Sequence, residues 1–286
     1  MKVSSSVIIL GAALGVSAHP SGHAHQNVHK RGNFVVANKP TTTVIEYVTA
    51  AAVAAEAVST TAAAAAVSST AASDDSSSSE YVEFCSGSTA KRATLAEIAY
   101  KGNTGTEDDY GCNMMTVKES IASLYKYTAT FNNDVAKDQA CVCFNKIGED
   151  GGINGFWSGN EAISFTLPAS GTKVVAFEAN SQGGCACSVG TAVELTDAGQ
   201  FASTWLEFDF GNTSNDDWSG ADASCLVSAA NSKYIPALKV CGSGTCSTIY
   251  SGGKGENAYL GGMEAEDGVG LNLAAGKVRL TLTVGE

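Results

Sequence analysis

Trp205-Leu-Glu-Phe-Asp-Phe210 and Val278-Arg-Leu-Thr-Leu-Thr-Val284 carry the reading of the fold. In the second run Val278, Leu280, Leu282 and Val284 alternate with Arg279, Thr281 and Thr283, the period of two that marks a half-buried strand. In the first, Leu206, Phe208 and Phe210 alternate with Glu207 and Asp209. Tyr125 to Phe131, Ala140 to Phe144, Ile163 to Leu167 and Lys173 to Phe177 have the same character, and each run is bounded by Gly, Asn, Asp or Pro. Short strands punctuated by turn residues predict a mainly β chain folded as a β-sandwich, rather than a parallel α/β sheet. Helical signals are sparse, with Thr94 to Tyr100 and Thr116 to Tyr127 as the candidates.

Ahead of these strands the chain is of another kind. Met1 to Ala18 places Lys2 before an apolar run from Val7 to Val16 and ends small-x-small, the layout of a secretory signal peptide. Lys30-Arg31 is a dibasic pair, so residues 19–31 read as a propeptide cut after Arg31. All four histidines, His19, His23, His25 and His29, precede that cut. Residues 41–80 hold 13 Ala and 15 Ser plus Thr, too little large apolar surface to offset the entropy of ordering. Residues 32–80 are therefore expected to be a disordered linker, and 81–286 the folded domain.

The nine cysteines all lie from Cys85 onward. Behind a signal peptide such density reads as a disulfide framework, so the expectation is a disulfide-stabilised sandwich with no metal thiolate. Alternate residues of a strand share a face, which lets Cys141 and Cys143 meet Cys185 and Cys187 across neighbouring strands. Cys241 and Cys246 are spaced to close a local hairpin, and Cys112 and Cys225 complete eight. The odd cysteine is read as Cys85, because cleavage at a second dibasic site, Lys91-Arg92, would remove it.

The balance of 17 Lys plus Arg against 29 Asp plus Glu gives a net charge of −12, which opposes a nucleic-acid partner. No apolar run reaches the roughly 18 residues of a membrane-spanning helix. No Gly-x-Ser-x-Gly elbow or phosphate loop occurs, and no histidine follows Arg31 to serve a Ser or Cys nucleophile. No cofactor is called for. Glu207, Asp209 and Asp222 are the carboxylates that a glycoside hydrolase would need, Glu207 and Asp209 sharing one strand face. Trp157, Trp205 and Trp218 sit among Gly, Asn, Ser and acids, the mixture from which sugar-binding surfaces are made, although a strand tryptophan such as Trp205 is as readily a core residue. Together these give a candidate cleft lined by Glu207 and Asp222, with Trp157 or Trp218 as a stacking face. The turn from Asn212 to Trp218 lacks the spacing of a calcium loop, and Asn212-Thr-Ser214 is a glycosylation sequon, which predicts a surface turn.

Tyr100 to Asn103, Phe144-Asn-Lys-Ile-Gly-Glu-Asp-Gly-Gly152, Ala176 to Gly183, Thr204 to Phe210 and Trp218-Ser-Gly220 together resemble the secreted ascomycete allergen family known as Asp f 4. The resemblance implies an extracellular fungal protein associated with the cell wall, bound by IgE in sensitised hosts, with no known catalytic activity. Ser203 stands where the family carries a Cys, which removes the partner the family pattern implies for Cys85. A shorter likeness, Thr204 to Phe208 with Asp222-Ala-Ser224, is similar to elements lining the acidic cleft of thaumatin-like proteins, whose Asp-Gly is replaced here by Val227-Ser228. The resulting expectation is a secreted, non-catalytic wall or glycan-binding protein, with cell-wall β-glucan and host IgE as partners. The alternatives are a glycan hydrolase using Glu207 and Asp222, and a secreted effector acting on a host target.

Overall fold

A computed structural model describes residues 80–86, 102–266 and 268–285. The expected signal peptide, the expected cut at Arg31, nearly all of the expected linker, the Lys91-Arg92 site and the helix expected at Thr94 to Tyr100 lie outside the described residues. The elements run β1 (Gly105–Thr106), β2 (Asp109–Tyr110), β3 (Met114–Val117), β4 (Tyr127–Asn133), β5 (Gln139–Asn145), β6 (Ile163–Leu167), β7 (Thr172–Phe177), β8 (Ser181–Val189), β9 (Trp205–Asn212) and β10 (Trp218–Ser224). After a short helix α1 (Leu226–Ala230) come β11 (Leu238–Gly242), β12 (Thr245–Tyr250), β13 (Lys254–Glu256), β14 (Leu271–Leu273) and β15 (Val278–Val284).

Two sheets form the sandwich expected from the alternating runs. One has the order β14-β10-β9-β8-β5-β6, antiparallel throughout. The other has the order β13-β12-β11-β15-β4-β7-β3, antiparallel except where β15 runs parallel to β4. The alternation sets which side chains meet between them. Leu206, Phe208 and Phe210 of β9 point into the sandwich, where the Phe177 ring of β7 lies 4.7 Å from Phe208 and 4.8 Å from Phe210. Leu280 and Leu282 of β15 enter the same core, as do Tyr127 and Phe131 of β4. Each large side chain so buried contributes about 1.5–3 kcal/mol relative to exposure.

Cysteines fasten the sheets from within. Cys141–Cys187 and Cys143–Cys185 join β5 to β8 at directly opposed positions, and Cys241–Cys246 joins β11 to β12. The expectation for the odd cysteine is corrected. Cys85 is bonded to Cys112, and the free thiol is Cys225. The reason is tertiary: Phe84 is buried against Tyr125, whose hydroxyl accepts the Val82 N–H, and this anchorage delivers Cys85 to its partner. Cleavage at Lys91-Arg92 would therefore leave the Cys85 segment covalently attached. Cys225 sits between β10 and α1, buried in the sandwich core, and burial pushes its thiol up from the ordinary value.

The region Thr116 to Tyr127 is not one helix. Thr116 and Val117 belong to β3, Glu119–Leu124 forms a 3₁₀ helix, and Tyr127 opens β4. Ile121 is the one buried residue of that 3₁₀ segment, so there is no apolar stripe to extend it.

Candidate functional site

The outer face of the six-stranded sheet holds the sequence-predicted site residues. Register places Phe144, Gly184, Glu207 and Asp222 in one row across β5, β8, β9 and β10. The row on one side is Val142, Ala186, Trp205 and Ser224; on the other, Gln182, Asp209 and Gly220. Glu207 and Asp222 are thus direct cross-strand neighbours, as a paired-carboxylate site demands, and Asp209 is one row away.

They do not line an open cleft. Glu207 and Asp209 are each 4% exposed and Asp222 is 0% exposed. Gly270 lies so close over Asp222 that a side chain there would come within 2.6 Å of the Asp222 Cβ. Burial pushes the Glu207 carboxyl up to about 7, against the pull of the Ser224 hydroxyl and the Lys146 charge. Asp209 is pushed up to about 6 by burial, opposed by the Asn212 amide, which donates to its Oδ2 at 2.5 Å, and by Lys146. Asp222 lies well above the ordinary range, through burial first and the Glu207 charge second.

The tryptophans divide. Trp205 is 2% exposed, donates its indole N–H to the Phe201 carbonyl, and packs with Phe144 and Phe156 in a second apolar cluster that also holds Val193 and Val227. It offers no face to a ligand. Trp157 is half-buried against that cluster, 4.4 Å from the Phe156 ring, with its indole N–H on the Ala198 carbonyl. Trp218 opens β10 opposite Asn212, half-buried. The Asn212 side chain is occupied on both ends: its Oδ1 accepts from the Ser214 backbone N–H, while its amide donates to Asp209.

Sequence reasoning missed the open feature of this face. A groove of about 390 Å³ runs over β5 and β6 beneath the loop that follows β8. Ser158, Ser164, Thr166 and Thr191 bring hydroxyls to it and Glu161 a carboxylate, while Val142, Val193, Leu195 and Phe201 bring apolar surface. The Ser164-Phe-Thr166 alternation was legible as a strand, but nothing local told that residues 191–201 fold back over it. A smaller cavity, about 240 Å³, lies between Gln139, Val189, Glu194 and Tyr234. Among the described residues no cluster of three or more His, Cys, Asp or Glu is arranged to hold a metal ion, and no helix is long and apolar enough to cross a membrane.

The sequence profile of the Allergen Asp f 4-like domain matches residues 112–284, the span of both sheets beyond β2. The chain belongs to the Allergen Asp f 4-like family. Allergen Asp f 4 of Aspergillus fumigatus is 34% identical to it over 207 residues, 71% of this chain and 63% of that protein. The chain thus spans less than two thirds of this curated relative. Among solved structures, a protein elicitor from Magnaporthe oryzae aligns at a TM-score of 0.36 and 15% identity, over 56% of this chain and 99% of the elicitor. A thaumatin-like xylanase inhibitor aligns at 0.31 and 11%, over 55% of this chain and 97% of the inhibitor. Likenesses of that size leave the description of this Allergen Asp f 4-like domain to its own two sheets.

Proposed function

We propose that this member of the Allergen Asp f 4-like family is a secreted, non-catalytic carbohydrate-binding protein of the fungal wall and its surroundings. The carrying observation is the separation of carboxylates from open surface. Cleavage of a glycosidic bond needs two carboxyl groups flanking an accessible sugar. The opposed pair, Glu207 and Asp222, is shut from solvent, whereas the open groove has Glu161 alone among hydroxyls and apolar side chains. A surface with a hydrophobic floor for the C–H side of a sugar and scattered oxygens for its hydroxyls can hold a glycan without cutting it. Secretion fits the leader-like Met1 to Ala18 and the four disulfides, which form in oxidising compartments. Recognition by host IgE would follow from secretion and from the durability that the disulfides confer.

The test is retention of the secreted protein on insoluble β-glucan and on chitin, with analysis of released sugars. Retention that weakens in Glu161→Gln and Thr166→Val, with no product, is the expected result. Released oligosaccharide would instead favour a hydrolase. Equal behaviour of parent and both variants on every polysaccharide would leave the groove without this role and favour action on a host protein.

A further inference from the structure

Glu207 and Asp222 stand directly opposite each other on antiparallel strands, where Cβ atoms are about 4.5–5.5 Å apart. Both are buried, and among the described residues neither oxygen of Asp222 has a hydrogen-bond partner. The β8 neighbour is Gly184, and Gly270 presses on Asp222 from the other side. Ser224 serves Glu207, and among the described residues the charged groups that face the pair are Lys146, after β5, and Asp209 in the adjacent row. Two opposed carboxylates in such a place repel, and an unpartnered buried acceptor is costly. A single proton lifts the repulsion and gives one Asp222 oxygen a partner, since a carboxyl O–H on one side meets an oxygen of the other.

The geometry points to a proton shared between Glu207 and Asp222: the pair is neutral in acid, keeps one proton as a carboxyl–carboxylate bond fastening β9 to β10 once Glu207 ionises, and loses that bond as the medium becomes alkaline and Asp222 ionises too. The raised Glu207 and Asp222 carboxyls agree with it. The sign follows from linkage. A carboxyl whose folded value lies above its unfolded value binds its proton more tightly in the folded state. The Glu207 proton contributes fully below the ordinary value of 4.5 and is lost as pH rises through about 7, and Asp222, held up by burial and by the Glu207 charge, gives up the shared proton last. Asp209, raised to about 6, adds in the same direction, and Lys146 opposes. The domain is therefore built to be tightest in acid, and alkaline conditions loosen the β9–β10 pairing and the Gly270 turn that covers it. This inference is independent of the groove over β5 and β6.

Urea unfolding of the full disulfide-bonded protein between about pH 5 and about pH 8 tests it. The midpoint is expected to fall across that range. Amide exchange in β9 and β10 is expected to gain more from alkali than exchange in β4 and β15. In Glu207→Gln/Asp222→Asn an amide pair replaces the shared proton, and the fall should shrink to the part that Asp209 contributes. Carbon-13 resonances of the two carboxyls in the unsubstituted protein give a reading that needs no variant. Titration of both in the ordinary carboxylate range, a stability that is flat or rises with pH, or an unchanged pH slope in the double variant would each overturn the shared proton.

Discussion

The rings of Phe144 and Trp205 meet edge to face, their centroids 5.1 Å apart and their planes at 73°, although a whole strand separates their backbones. Strand β8 permits this because it presents Gly184 and Ala186 between them. A Cβ on Gly184 would come within 2.8 Å of the Phe144 ring and 3.0 Å of the Leu206 carbonyl. The two small residues of β8 are thus the seat on which the outer aromatic cluster is built, and that cluster holds the loop that walls the groove.

Gly184→Ala is accordingly expected to lower stability by about 1–3 kcal/mol, the range for overpacking a filled site. Glycan retention should fall with it, because Phe201 and Val193 of the groove wall rest on the same cluster. Chemical denaturation alongside the pull-down checks both, and an unchanged unfolding midpoint would show that the ring yields without cost.

Trp205→Ala removes the largest side chain of this cluster and orphans the Phe201 carbonyl. A loss of about 3–5 kcal/mol is expected, as for large aromatic truncations in cores. Trp157→Ala, at the rim, should cost less in stability. Urea midpoints of the two variants compared with the parent separate a core tryptophan from a rim one.

The disulfide pattern predicts one thiol that alkylating reagents miss in the native protein and find after unfolding. Cys225 is 1% exposed in an apolar setting, and burial raises its thiol, so little thiolate is present to react. Mass mapping without reduction should recover Cys85 with Cys112, and Cys141 and Cys143 with Cys187 and Cys185. A peptide linking Cys225 to any other cysteine would contradict this arrangement.

What was legible in the sequence follows from how local each signal is. β6 and β15 have the bounds of the alternating runs Ile163–Leu167 and Val278–Val284, because one face of each run is apolar and the other is not. β8 was legible as a strand only through Cys185 and Cys187, since Gly183 and Gly184 break its alternation, and those glycines are there for contacts with β5 that only the folded sheet defines. Glu207 and Asp222 could be read together because they lie in adjacent runs, and the register makes them direct cross-strand neighbours. Their closure was not legible: it depends on Gly270, far along the chain, and on aromatic packing at long range. The fate of Cys85 was likewise decided by Tyr125, a tertiary anchor with no mark in the spacing of cysteines.

Lys146 offers the most discriminating variant for the acid face. Its charge lowers both Glu207 and Asp209, in each case as a lesser influence set against burial. Lys146→Met keeps the length and apolar stem of the side chain while removing the cation. With that pull gone, both carboxyls rise further, so they keep their protons to higher pH in the folded state. The loss of stability should begin at the same pH, set by the unfolded value, but run on to a higher pH, and the total loss between acid and alkali should grow, because the gap between folded and unfolded values is wider. A purely structural role for Lys146 would change the urea midpoint equally at all pH values. Measuring the midpoint across pH for parent and variant distinguishes the two, and parallel curves would remove Lys146 from the electrostatics of the Glu207–Asp222 row.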